Sequence, residues 1–208
     1  MKALFYVLFV VCLNRWSCCT ASLPESKKFA SNMERASPAL DLEENSLTHR
    51  QCSIEITNKC SQYTLCNPSY FTESGSCAEP LPYRIDSSSS GSGLFIKTPN
   101  AARGAVGVFT YDLINKSTDE STGKIAVMFS VPYDFNLHSN WYAVGIFGMW
   151  KECNYDLYYQ MYYNNDSTFV RSKAGHGIKH SDKGVTIMAT MSDTHQPEMK
   201  VEVRDNDE

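Results

Sequence analysis

The chain has 208 residues, 42% of them hydrophobic and 20% charged, and 19 basic against 23 acidic side chains give a net charge of −4. That size suits one globular domain, because single β-sandwiches run to roughly 200–250 residues. No overall basic character draws the chain to nucleic acid, and 11 Gly with 8 Pro are too few for a collagen-like or low-complexity chain.

The N-terminus reads as a secretory leader. Lys2 supplies the positive start and residues 3–13 (ALFYVLFVVCL) form an apolar run. The run is too short for a bilayer, which needs about 20 residues. Cys19-Thr20-Ala21 offers a cleavage site. The expected organisation is a signal peptide at residues 1–21, a polar segment at 22–49 and a β-sandwich domain at 50–208. A start at Met33, in a cytosolic chain, is the alternative. No other apolar stretch approaches spanning length, so a membrane role of the exported chain would be peripheral or follow a conformational change. Within the polar segment, Ser37 can cap and Pro38 can open a short helix to about Ser46. Its apolar stripe of Phe29, Met33, Ala36, Leu40 and Leu47 is interrupted by Pro38.

From Gln51 onward the pattern is β. Ile54 and Ile56 alternate with polar neighbours, and β-rich runs follow at residues 94–96, 104–113, 124–131, 141–147, 185–191 and 199–204. The Ser/Gly stretch at 87–93 reads as a flexible loop and residues 115–123 (NKSTDESTG) as a polar hairpin loop. No helical pattern alternates with the strands, so the economical architecture is an all-β sandwich. Cys52, Cys60, Cys66 and Cys77 fall within 26 residues and Cys153 stands apart. In an exported chain the four predict a knot of two disulfides, with the odd cysteine left over. Their spacing lacks the CxxC pairs of a zinc site. Asn115 and Asn165 head glycosylation triplets.

No nucleophile elbow, phosphate loop or zinc-protease motif is present. His176 and His180 are four apart, but Gly175 and Gly177 argue against a helix there, and Asp182 is a loose companion. The sequence therefore predicts no enzyme, no metal site and no cofactor. The informative feature is aromatic crowding: residues 129–163 hold 12 of the 25 aromatics. Phe129, Tyr142 and Phe147 are expected in the core. Tyr155, Tyr158, Tyr159, Tyr162 and Tyr163 recur at three and four residues, a helical stripe, with Leu157 and Met161 as a second apolar line. So many phenols are hard to bury, because each hydroxyl then needs a partner. Exposed, they suit a lipid headgroup layer, a stacked sugar or a protein face. Tyrosine faces also hold quaternary ammonium, at roughly 0.5–2 kcal/mol per ring.

The run from Met128 to Val144 (MFSVPYDFNLHSNWYAV) resembles the signature of the actinoporins, the sea-anemone pore-forming cytolysins. Residues 104–111 (GAVGVFTY) are similar to the strand before it, residues 157–164 (LYYQMYYN) to the family's tyrosine helix, and residues 50–58 and 70–75 to its opening strands. The resemblance covers about residues 50–204. It implies a compact β-sandwich flanked by two short helices. It further implies a secreted protein that binds phosphocholine lipids, sphingomyelin above all, and forms homo-oligomeric, cation-permeable pores in a target cell membrane. The headgroup site it implies comprises Ser74, Val106, Ser130, Pro132, His138, Tyr158, Tyr162 and Tyr163. Leu137 and Trp141 would lie at the membrane interface. His138 stands where the family has Tyr and Leu137 where it has Trp. The family's Arg-Gly-Asp triplet is absent, and Arg171, Lys173, Lys179 and Lys183 leave that stretch basic. The cysteines are an addition to the family pattern. A pore-lining helix needs about 20 residues at 1.5 Å each, whereas the stretch after Pro38 offers about half that. The alternative function is therefore a secreted glycan- or lipid-binding protein that does not perforate membranes.

Overall fold

The structure is a computed structural model that describes residues 49–206. The expected leader, all but the last residue of the polar segment, and the short helix after Pro38 lie outside the described residues. Two six-stranded sheets make up the fold. The first runs, in spatial order, β10 (Ile178–Asp182), β11 (Val185–Met191), β12 (Glu198–Asp205), β1 (Gln51–Asn58), β5 (Ser89–Ile96) and β3 (Ser76–Glu79). The second runs β4 (Arg84–Ile85), β2 (Tyr63–Ser74), β6 (Ala105–Asn115), β7 (Ser121–Val131), β8 (Trp141–Phe147) and β9 (Phe169–Lys173). Neighbouring strands are antiparallel except β1 and β12, which pair in parallel. One helix, α1 (Tyr155–Tyr163), joins β8 to β9. The all-β sandwich expected from the sequence is what forms, and one of the two flanking helices falls among the described residues.

Strand patterning tells which face is covered. In β1 every second residue is buried, Cys52, Ile54, Ile56 and Asn58 pointing inward. β12 alternates likewise through Met199, Val201 and Val203. Strands of this kind bury one face only. In β7 the whole run from Ile125 to Val131 is buried, as expected of a strand covered on both sides. Its Ile125, Val127, Phe129 and Val131 enter the core between the sheets, while Ala126 and Met128 belong to a second cluster with Leu157, Tyr158 and Met161 of α1. The helix thus covers the outer face of the second sheet. Phe129, Tyr142 and Phe147 are buried as the sequence predicts.

Two expectations are corrected. The Ser/Gly stretch at 87–93 is mostly strand, because residues 89–93 of β5 pair along β1, while β3 pairs with its 94–96 end. Its glycines serve close approach: a Cβ on Gly91 would meet Pro82 Cγ at 2.2 Å and one on Gly93 would meet Leu81 Cδ2 at 2.7 Å. The disulfide knot does not form, and all five described cysteines are free thiols. Cys52 lies about 20 Å from Asn58 along β1 at 3.3 Å per residue, and Cys60 follows two residues past the end of that strand. Cys52 and Cys77 both pair with Phe95, from opposite sides of β5. They are therefore two strand spacings apart, about 9–10 Å, beyond the roughly 7 Å limit for a bridge. Cys66 pairs within the second sheet, opposite Asp112. Burial pushes the Cys60 thiol up to about 12 and the Cys52 thiol higher still.

Candidate functional site

Helix α1 starts where Asn154 caps it, its Oδ1 accepting the Leu157 backbone N–H at 3.1 Å. Asp156 in the first turn suits the positive end of the helix dipole. The period of the sequence then divides the side chains. Leu157, Tyr158 and Met161 are buried against the sheet, while Tyr155, Tyr159 and Tyr163 are 47%, 45% and 57% exposed. Tyr162 lies between, packed on the edge of the same cluster. The five rings touch in a closed circuit: Tyr155 to Tyr158 at 6.3 Å, Tyr158 to Tyr162 at 5.6 Å, Tyr162 to Tyr163 at 4.7 Å, Tyr163 to Tyr159 at 4.7 Å and Tyr159 to Tyr155 at 5.9 Å. Such pairs contribute roughly 0.5–1.5 kcal/mol each beyond burial, so the tyrosines hold one another in place. Phe71 of β2 closes the seam beneath, 6.4 Å from Tyr158 and 6.1 Å from Tyr155.

The electrostatics follow the burial. The Tyr158 phenol is pushed above its ordinary value, chiefly by burial, with Tyr163, Tyr162 and Glu73 adding to the shift. Tyr163 is raised in the same direction, and Glu73 contributes there too. Glu73 is the unpaired residue of a register shift between Thr72 and Ser74 in β2, after which Ser74 stands opposite Val106. A bulge of this kind re-aims side chains.

Beside the helix, register lines up one row across the second sheet. Ser74 pairs with Val106, Val106 with Ser130, Ser130 with Trp141 and Trp141 with Lys173. Ser74 donates its hydroxyl to the Gly104 carbonyl at 2.7 Å. Val106 packs at the edge of the helix cluster, which places the row on the face that carries α1. Ser130 is only 5% exposed, so its hydroxyl lies below the surface.

Residues 132–140 connect β7 to β8 at the end of this row. The Asp134 carboxylate accepts the backbone N–H groups of Asn136 at 3.0 Å and Leu137 at 3.3 Å. Asn140 is fully buried and donates from Nδ2 to the Thr194 carbonyl at 2.8 Å. Phe135 packs on the His195 ring at 4.8 Å. Held at both ends, the loop presents Leu137 at 75% exposure, with His138 exposed beside it. Trp141 is half-buried beneath two cations, Arg171 at 5.1 Å and Lys173 at 5.7 Å from its ring.

Of the residues singled out by resemblance, Ser74, Val106, Ser130, Trp141, Tyr158 and Tyr162 thus share one face. Tyr163 stands at its exposed edge. Pro132, Leu137 and His138 belong to the adjoining loop and not to the helix seam. The sequence reading missed Phe71 and Glu73, which reach the tyrosines through a strand register and a bulge that leave no short-range motif. It also gave no role to Trp150, which is 88% exposed on the turn before α1. Among the described residues no group of three His, Cys, Asp or Glu side chains is placed to hold a metal ion. No described helix is long and apolar enough to cross a membrane.

The sequence profile described as sea anemone cytotoxic protein matches residues 39–205. DELTA-alicitoxin-Pse1b of Phyllodiscus semoni is 35% identical over 119 residues, covering 56% of this chain and 49% of its own length. Bryoporin of Physcomitrium patens is 26% identical over 155 residues, covering 74% of this chain and 84% of its own. The chain spans about half the length of the sea-anemone relatives it matches, 49–58% for the first three. Among solved structures, the lipid binding protein Nakanori shares the fold at a TM-score of 0.59 with 12% identity, covering 79% of this chain and 75% of its own.

Proposed function

The chain belongs to the sea anemone cytotoxic protein family, and from that premise we propose that it is a secreted, membrane-binding, pore-forming cytolysin. In this reading the tyrosine face of α1 recognises phosphocholine headgroups, sphingomyelin's above all, and bound copies assemble into cation-permeable pores. The observation that carries it is the closed circuit of five tyrosines, exposed on one side and locked to the sheet on the other. A choline ammonium lying on these rings gains roughly 0.5–2 kcal/mol per ring. The Glu73 carboxylate adds a negative charge beside Tyr158 and Tyr163. Tyr163, Tyr162 and the row from Ser74 to Trp141 surround the headgroup, and Tyr158 supports them from the buried side. Leu137 enters the outer edge of the hydrocarbon, contributing up to about 2 kcal/mol, and Trp141 anchors at the headgroup layer, which indoles favour. His138 replaces an expected ring by a titratable imidazole on the loop. Residues 22–49 supply the pore wall in this proposal, after removal of residues 1–21.

The competing reading is a lipid- or glycan-binding protein that never perforates, and Pro38 within a short apolar stretch favours it. Sedimentation with sphingomyelin-rich vesicles tests the binding step. Recovery in the vesicle pellet is expected. Negligible recovery with every lipid, together with retention on a glycan column, would transfer the tyrosine face to sugar stacking.

A further inference from the structure

The tyrosine face accounts for a choline cation, but not for the two cations beside Trp141. β9 pairs with β8 so that Lys173 stands opposite Trp141 and Arg171 opposite Ala143. Residues two apart leave a strand on the same side, so both basic side chains rise next to the indole. The Arg171 guanidinium lies 5.1 Å and the Lys173 ammonium 5.7 Å from that ring. An aromatic face orients a cation without neutralising it, and neither residue enters any of the ion pairs among the described residues. The turn after Lys173, residues 174–177, reads Ala-Gly-His-Gly and carries no acid. Asp134 in the neighbouring loop is engaged by the N–H groups of Asn136 and Leu137. A local positive site therefore persists on a chain whose net charge is −4.

Its place defines its partner. Trp141 opens β8 directly after the β7–β8 connection that carries the 75% exposed Leu137, so a membrane that receives Leu137 sets Arg171 and Lys173 at headgroup depth. There a guanidinium binds phosphate oxygens in a fork and an ammonium adds a point charge. A zwitterionic choline lipid brings its own cation and gains less from such a pair than a lipid with net negative charge.

Resting on the membrane-binding reading above, we propose that Trp141, Arg171 and Lys173 form a second headgroup site, for anionic phospholipids, beside the tyrosine face. The chain then requires two lipid classes in one membrane for full affinity. The test is sedimentation of the full chain with sphingomyelin/phosphatidylcholine vesicles, with and without phosphatidylserine. Two cations near an anionic surface are worth about fivefold each, so phosphatidylserine should raise affinity by about 30-fold at low salt. Raised salt should erase the gain. Arg171→Gln with Lys173→Gln should lose the gain and keep neutral-vesicle binding, while Arg171→Lys with Lys173→Arg should retain most of it. No response to phosphatidylserine, or a response undiminished in the double Gln variant, overturns the site and leaves the choline reading intact. Binding confined to phosphatidylserine vesicles would do the reverse, supporting the basic site and refuting the tyrosine one.

Discussion

Tyr158 and Tyr162 show how one residue type serves two purposes four positions apart. Tyr158 is 6% exposed and packs with Phe71, so it fixes the helix to the sheet. Tyr162 stacks on it at 5.6 Å and reaches the surface edge. Tyr162→Ala should therefore weaken vesicle binding by about 1–2 kcal/mol, the value of one cation–π contact, with a smaller change in stability. Unchanged binding by a folded Tyr162→Ala protein, measured by vesicle titration, would remove this ring from the headgroup site. The buried phenols also set an alkaline limit. Tyr142 is raised by burial to about 12, and Tyr111 and Tyr158 are raised for the same cause. Between the ordinary tyrosine value near 10 and these raised values, the unfolded chain has lost protons that the native chain keeps. Stability must then fall as pH rises. It should be flat with respect to these groups below pH about 10 and decline through about 12, with tyrosinate absorbance appearing together with loss of native circular dichroism for these residues. Early ionisation of all described tyrosines in a folded protein would contradict the burial.

At the scale of elements, the strands that could be read from sequence were those with a clear period or a long apolar run. β1 and β12 alternate because one face meets the core, and β6 to β8 run continuously because α1 covers their far side. The tyrosine helix was legible from its three- and four-residue spacing. In β5 only the 94–96 end was, because the Ser and Gly residues before it answer to the nearby Leu81 and Pro82 and not to a local preference. The cysteine spacing misled for a related reason: closeness in sequence along extended strands is not closeness in space, and Cys52 and Cys77 are held apart by β5 itself. The close contact of β8 with the start of β9 makes a prediction of its own. A Cβ on Gly145 would meet Phe169 Cβ and the Thr168 carbonyl oxygen, each at 2.7 Å. Gly145→Val should cost about 1–3 kcal/mol by overpacking, read as a lowered urea midpoint. A midpoint equal to the parent's would mean that the strand under the helix has slack the packing does not show.

For the whole molecule, the candidate site is an assembly of parts that no single segment contains. The helix supplies rings, β2 supplies Phe71 and Glu73 through a bulge, β6 to β8 supply a register row, and the 132–140 connection supplies the exposed Leu137. Resemblance picks out most of these residues by position, and the fold places them on one face and its adjoining loop. Among the described residues, the buried core between the sheets is drawn from 52–203, and the proposal assigns residues 22–49 to the membrane step. Dye release from sphingomyelin vesicles, compared between the chain from residue 22 and a truncation beginning at Arg50, tests that division most directly. The longer chain should bind and release dye while the truncation binds without releasing it. If both bind and neither releases dye, the protein recognises membranes without perforating them, and the pore-forming account is wrong.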